Sequence, residues 1–317
     1  MIRPNHRAKS SATTITNLKK THSRLITLSI LLAALTSTTL CTLASPTITK
    51  DLNYLAPGRK EKLDIYHPSQ PAPGTLAPAI VIIHGGGWIG GDKAAKREII
   101  TGNALAAAGY LCVSIEYWKG SKDRWPTNLQ DCKNAVRWLR MNAEKLKIDP
   151  TKIGVIGGSA GAHLALMLAY TAANSEIDPK PLYPNVSDHV SACVNMYGIS
   201  NLETRQGTDP TGKPNGKLSP TTQLFSESRE AAPTKWKLAS PVSHIRKSSP
   251  PTLTLHGIGD TVVDRAQSQE LDRSLKAAGV ESTLIMVPDA NHAWPLKTPQ
   301  FDHIPTVVNF FNRHLKP

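Results

Sequence analysis

Short apolar runs rich in β-branched residues alternate along this chain with longer segments of helical periodicity. The runs at 78–83, 111–117, 153–157, 190–197, 251–256 and 281–287 read as strands. Helical patterns occupy about 94–109, 127–146, 160–173, 265–278 and 302–315. Strand–helix alternation of this kind implies an α/β domain, a mostly parallel sheet with helices on both faces. Segments 48–54 and 61–66 are expected as antiparallel edge strands. The alternation breaks between Asn201 and Lys237, a stretch rich in Gly, Pro, Ser and Thr. A cap or lid is one reading of it, and a plain surface insertion is the other. There is no internal repeat.

The chemistry concentrates at strand ends. Lys152-Ile153-Gly154-Val155-Ile156 runs into Gly157-Gly158-Ser159-Ala160-Gly161, after which an Ala/Leu-rich helix begins at once. A serine at the apex of a strand–turn–helix corner is held in a strained conformation that presents its hydroxyl to open space. A buried Gly/Ser turn is the alternative, and the flanking strand and helix favour the nucleophile. Upstream, Pro78–Ile83 leads into His84-Gly85-Gly86-Gly87-Trp88, where successive glycines leave backbone N–H groups bare. Such a loop can supply oxyanion donors, here from Gly85 and Gly86, with the N–H of Ala160 as a further donor.

A base and its orienting acid are then expected downstream in the order Ser, Asp, His. Pro251–Leu255 ends in His256-Gly257-Ile258-Gly259-Asp260, and Glu281–Val287 is followed by Pro288-Asp289-Ala290-Asn291-His292. Strand C-terminal ends are where a parallel sheet presents functional groups. Asp260 and His292 are therefore the candidate partners of Ser159. Asp264, at the start of a helix, and Asp289, a turn residue, are rival acids; His256 and His163 read as structural or pocket-lining.

These motifs resemble the α/β-hydrolase esterases with an HGGGW loop, in particular the bifunctional xylan deacetylase/feruloyl esterase group and more distantly the hormone-sensitive-lipase-like carboxylesterases. The likeness runs from about Leu52 to Leu315. It includes Leu63-Asp64-Ile65-Tyr66, Gly91-Asp92-Lys93, Ala135-Val136-Arg137-Trp138-Leu139-Arg140, Ile148-Asp149-Pro150 and Ala239-Ser240-Pro241. Tyr117-Trp118-Lys119 departs from the more usual Tyr-Arg-Leu, as do Ala162, where a second glycine is frequent, and Val263-Asp264, in place of Val-Pro. The resemblance implies an α/β-hydrolase fold and a serine carboxylesterase acting on short acyl esters, acetyl or feruloyl, on plant polysaccharide. An arylformamidase, whose HGGxW loop this chain also matches, and a silent binding protein on a hydrolase fold are the alternatives. Aromatic residues near the motifs suit a sugar ring or an aromatic acyl group. Trp88, Tyr117, His163 and Trp294 are the expected substrate contacts, and Trp118 and Trp125 fall nearby.

Composition adds a destination and removes some partners. Residues 1–24 hold six Lys/Arg and no acid, and Leu25–Leu35 is apolar. Small residues precede Ser45, so 1–44 reads as a secretory signal cleaved near Ala44, which implies a secreted or periplasmic enzyme of 45–317 with no stable membrane association afterwards. Removing those six cations from the formal charge of +13 leaves about +7, scattered, with no basic–aromatic run for nucleic acid. No Cys/His cluster has zinc-site spacing, so neither metal nor other cofactor is expected. Cys112, Cys132 and Cys193 are expected as buried thiols. The expected partner is a small-molecule or polysaccharide ester; the oligomeric state is not legible.

Overall fold

A computed structural model describes residues 46–69, 74–120, 124–209, 213–218 and 224–316. The expected leader lies outside them. No described helix is long and apolar enough to cross a membrane.

Eight strands form one sheet: β1 (Ile48–Asn53), β2 (Lys62–Tyr66), β3 (Ala77–Ile83), β4 (Leu111–Ile115), β5 (Ile148–Gly158), β6 (Ala192–Met196), and, after a small hairpin of β7 (Gln206–Thr208) and β8 (Pro214–Leu218), β9 (Thr252–Gly257) and β10 (Ser282–Val287). Their order across the sheet is β1-β2-β4-β3-β5-β6-β9-β10. Pairings β1–β2 and β2–β4 are antiparallel and the remainder parallel. Of the two segments expected at the edge, only β1 is there. β2 is buried from Leu63 to Tyr66 because it pairs with β4 on its other side.

The parallel strands read as continuous apolar runs because both faces are covered. On one face Val81, Ile83, Val113, Val155 and Cys193 pack with residues of α2 (Arg124–Met141), α4 (Ala160–Tyr170) and α6 (Ala266–Ala277). On the other, Ile80, Ile82, Cys112, Ile156 and Val194 pack with α1 (Lys96–Ala107) and α7 (Ile304–Leu315). Adjacent residues of one strand thus serve opposite cores, the period-two rule of the pleat. Cys112, Cys132 and Cys193 are buried free thiols. The helical pattern of 127–146 is interrupted at Asn142, leaving a short α3 (Ala143–Leu146), and β5 begins earlier than its apolar run because Ile148 pairs with Ala77.

The stretch from 201 to 237 carries the β7–β8 hairpin and most of α5 (Pro233–Leu238). Its first part is strapped to α6 and to the loop before it. The Thr208 hydroxyl donates to the Thr261 carbonyl, the Gln206 N–H to Asp264 (3.0 Å), and the Thr204 hydroxyl to Glu270 (2.7 Å).

Candidate active site

The loops leaving the C-terminal ends of β3, β5, β6, β9 and β10 line or adjoin one cavity of about 620 Å³. Parallel strands put these ends on one edge, so residues far apart in sequence converge there. Ser159 sits between β5 and α4 with φ 55° and ψ −123°. That left-handed conformation is costly for a residue with a Cβ. It is held by the Ser159 N–H donating to Met196 O (2.9 Å) and by the His163 N–H donating to Ser159 O (3.0 Å). The corner closes only with glycine at 161, where a Cβ would lie 2.3 Å from the carbonyl oxygens of Ile83 and His84.

Ser159 Oγ lies 2.8 Å from His292 Nε2, and His292 Nδ1 lies 2.7 Å from Asp260 Oδ2. Asp260 is fully buried. Its Oδ1 accepts the N–H groups of Val262 and Val263, each at 2.9 Å. His256 Nε2 approaches Oδ2 at 3.3 Å. Burial by itself would raise this carboxyl; the bonds from His256 and His292 outweigh it and hold Asp260 well below the usual carboxylate range. Asp260 is thus an anion directed at the imidazole. The rival acids lie elsewhere: Asp264 is buried under the Gln206 N–H, and Asp289 is an exposed turn residue with φ 56°.

The glycine loop wraps over Ser159. A Cβ on Gly85 would meet the Gly158 carbonyl at 2.9 Å, so only glycine allows the loop to lie this close. Gly86 takes φ 113°, open to glycine alone. Among the described residues neither Gly86 nor Gly87 spends its N–H on a backbone bond, and Ala160 opens α4, where the first N–H groups have no partner within the helix. The loop is held from behind. His84 stacks on Tyr117 with ring centroids 4.3 Å apart, and the Tyr117 hydroxyl donates to His84 O (3.1 Å).

Of the four expected substrate contacts, only Trp88 lines the cavity. The other three are corrected. Tyr117 is buried behind the glycine loop. His163 is fully buried on α4; its Nε2–H donates to Ala239 O (2.8 Å), so Nδ1 is free to accept the Trp88 indole N–H (3.2 Å). Burial pushes His163 down to about 4, and it stands as a neutral strut under Trp88. Trp294 is buried against Tyr197, whose hydroxyl donates to Trp294 O (2.7 Å). Trp125 is likewise a core residue.

The residues that sequence reading missed are Tyr197, Arg97 and Arg205, all lining the cavity. Tyr197 follows β6 directly, packs edge-on against the His292 ring at 5.0 Å, and could have been flagged by its place at a strand's C-terminal end. Arg97 and Arg205 carry no local signal. His256, read as structural or pocket-lining, is structural: it braces Asp260 while its Nδ1 meets Ser268 Oγ at 2.7 Å.

A largely parallel eight-stranded sheet with helices on both faces, and a serine on the corner between β5 and α4, define an α/β-hydrolase fold. The BD-FAE family model matches residues 63–275, and the chain belongs to that family. Esterase LipQ of Mycobacterium tuberculosis is 31% identical over 250 residues, covering 78% of this chain and 58% of that protein. This chain therefore spans little more than half the length of that relative. Ethyl acetate hydrolase of Pseudomonas putida is 28% identical over 240 residues, covering 72% of this chain and 69% of its own. Among solved structures, a truncated carbohydrate esterase from gut microbiota superimposes with a TM-score of 0.74 at 26% identity, covering 87% of this chain and 99% of that one.

Proposed function

We propose that the protein is a serine carboxylesterase that uses Ser159, His292 and Asp260 as its catalytic triad and cleaves short-chain acyl esters, acetyl before all, on plant polysaccharide. The observation that carries this reading is the unbroken hydrogen-bond relay from Ser159 Oγ through His292 to Asp260, opening into a cavity beneath the glycine loop. His292 Nε2 takes the Ser159 proton as Oγ attacks the ester carbonyl. Backbone N–H groups of the Gly85–Gly87 loop and of Ala160 receive the oxyanion, with the positive end of the α4 dipole behind them. The alcohol leaves with the proton from His292. Water, deprotonated by the same imidazole, then releases the acid and restores Ser159. Asp260 keeps the imidazole in the required tautomer and stabilises its cation.

Small acyl groups are favoured because charged side chains, Asp92, Glu98 and Arg205 among them, line the cavity beside Ser159. Burying a long alkyl chain against such groups strips them of water without replacing their hydrogen bonds. Relatives named as an ethyl acetate hydrolase and a carbohydrate esterase support both halves of the reading. A chain-length series of p-nitrophenyl esters, run beside acetate and ferulate release from xylan, tests it. Maximal kcat/KM at two to four carbons with acetate release is expected. An optimum at ten or more carbons without release from xylan overturns the substrate. Fluorophosphonate labelling that persists in Ser159→Ala overturns the nucleophile.

A further inference from the structure

Arg205 is a polar side chain of the cavity that the ester chemistry above leaves unused. It sits on the strapped arm ahead of β7 and lines the same void as Ser159 and His292. One guanidinium nitrogen donates to Val262 O at 3.3 Å. Its Nε is buried without a hydrogen-bond partner, and no carboxylate among the described residues lies within 4.0 Å to form an ion pair with it. Of the nearby carboxylates, Asp260 is engaged by His256 and His292, while Asp264 accepts the Gln206 N–H through Oδ2 and attracts Arg205 only from beyond ion-pair distance, its Oδ1 buried without a hydrogen-bond partner. The cavity's other guanidinium is in a different state, since Arg97 is paired with Glu98 and donates to Ile83 O (3.0 Å).

A half-buried guanidinium whose Nε is buried without a partner, and which touches no carboxylate, is incompletely satisfied. An anion entering the cavity would repair the deficit, and the forked donors of arginine match the two oxygens of a carboxylate. We propose that Arg205 is a specificity-determining residue that receives a carboxylate of the substrate, so that favoured esters carry a second, free carboxylate close to the scissile bond. This rests on the esterase reading above. The carboxylate can belong to the acyl part, as in a half-ester of a diacid, or to the alcohol part, as in an acylated acid.

Two substrate pairs separate those sources: monoethyl succinate against ethyl butyrate, and 4-acetoxybenzoate against its methyl ester. For at least one pair, Arg205→Met should lower the ratio of kcat/KM for the anionic over the neutral ester by about tenfold or more, the scale of one charge-assisted hydrogen bond, with the change carried by KM. Arg205→Lys, which keeps the charge and loses the fork, should retain part of the preference and so distinguishes loss of charge from loss of fold. Ratios unchanged in Arg205→Met for both pairs overturn the proposal. If wild type hydrolyses none of the four esters, the esterase reading falls and binding decides the role of Arg205. Succinate raising the melting temperature of wild type but not of Arg205→Met supports the assignment, and equal shifts in both overturn it.

Discussion

At the scale of the residue, the site depends on keeping one buried carboxylate ionised. Asp260 accepts from two backbone N–H groups and faces two imidazoles, which overcomes the cost of its burial. Asp260→Asn retains the shape and loses the charge. If Asp260 orients the base as proposed, the substitution should lower kcat by about 10⁴-fold, the loss this change causes in a Ser-His-Asp protease, whereas Asp264→Asn should cost little; the reverse ranking would reassign the acid. A carboxyl whose folded pKa is depressed stabilises the fold above its unfolded pKa, and that stabilisation is lost as pH falls toward the folded value. The stability gap between wild type and Asp260→Asn should therefore be constant above about pH 5 and shrink progressively below about pH 4. Urea melts across that range check the sign. Ser159, Asp260 and His292 were legible as candidates because each follows an apolar run, and the structure brings the three within hydrogen-bond reach. Arg205 was not, because nothing around it distinguishes a cavity-facing arginine from a solvated one.

At the scale of the element, several motifs far from Ser159 are clips that hold its loop. Lys93 ends the segment after the glycine loop and inserts its ammonium 2.8 Å from Asp64 of β2. Its N–H donates to Glu116 (2.7 Å) and its carbonyl accepts the Ser114 hydroxyl (2.7 Å). Glu116 is held down to about 2 despite its burial by His84 and Lys119 beside it. These contacts explain why Leu63-Asp64-Ile65-Tyr66 and Gly91-Asp92-Lys93 occur together: Asp64 is almost wholly buried and Lys93 supplies its counter-charge. Lys93→Met would strand that carboxylate. It should destabilise the protein by about 3–5 kcal/mol, read from the denaturation midpoint at constant m-value. A loss below about 1 kcal/mol, the range of surface pairs, would show that Asp64 finds another partner. On α2, Arg137 pairs with Asp178 (2.7 Å) and Arg140 donates to the carbonyls of Ser187 and His189 (2.7 Å each), so this helix is pinned as well as packed. Helix and strand identities followed from apolar period. Their ends did not, since Asn142 interrupts one helical pattern and Ile148 joins β5 through pairing with Ala77 rather than through its own sequence.

At the scale of the whole molecule, the basic and then apolar segment ahead of residue 45 carries an expectation about destination. N-terminal sequencing of protein from the native host should find a chain beginning near Ser45 outside the cytoplasm, and an intact Met1 on a cytoplasmic protein would revive the arylformamidase alternative. The alternation of apolar runs with helical patterns determined by itself the layered α/β architecture. The strained serine corner and the glycine loop were equally local, because each depends on a handful of consecutive residues. What surrounds Ser159 was decided only by tertiary structure. Side chains sharing the cavity come from loops separated by more than a hundred residues, and the pleat and helix packing alone determine which of them face it. Trp88 faces the void while Tyr117, His163 and Trp294 turn behind its walls, and Arg205 reaches it from an arm whose composition fits a cap and a plain surface insertion equally. Apolar period reports burial against a core; it carries no record of which buried group borders a cavity and which supports one.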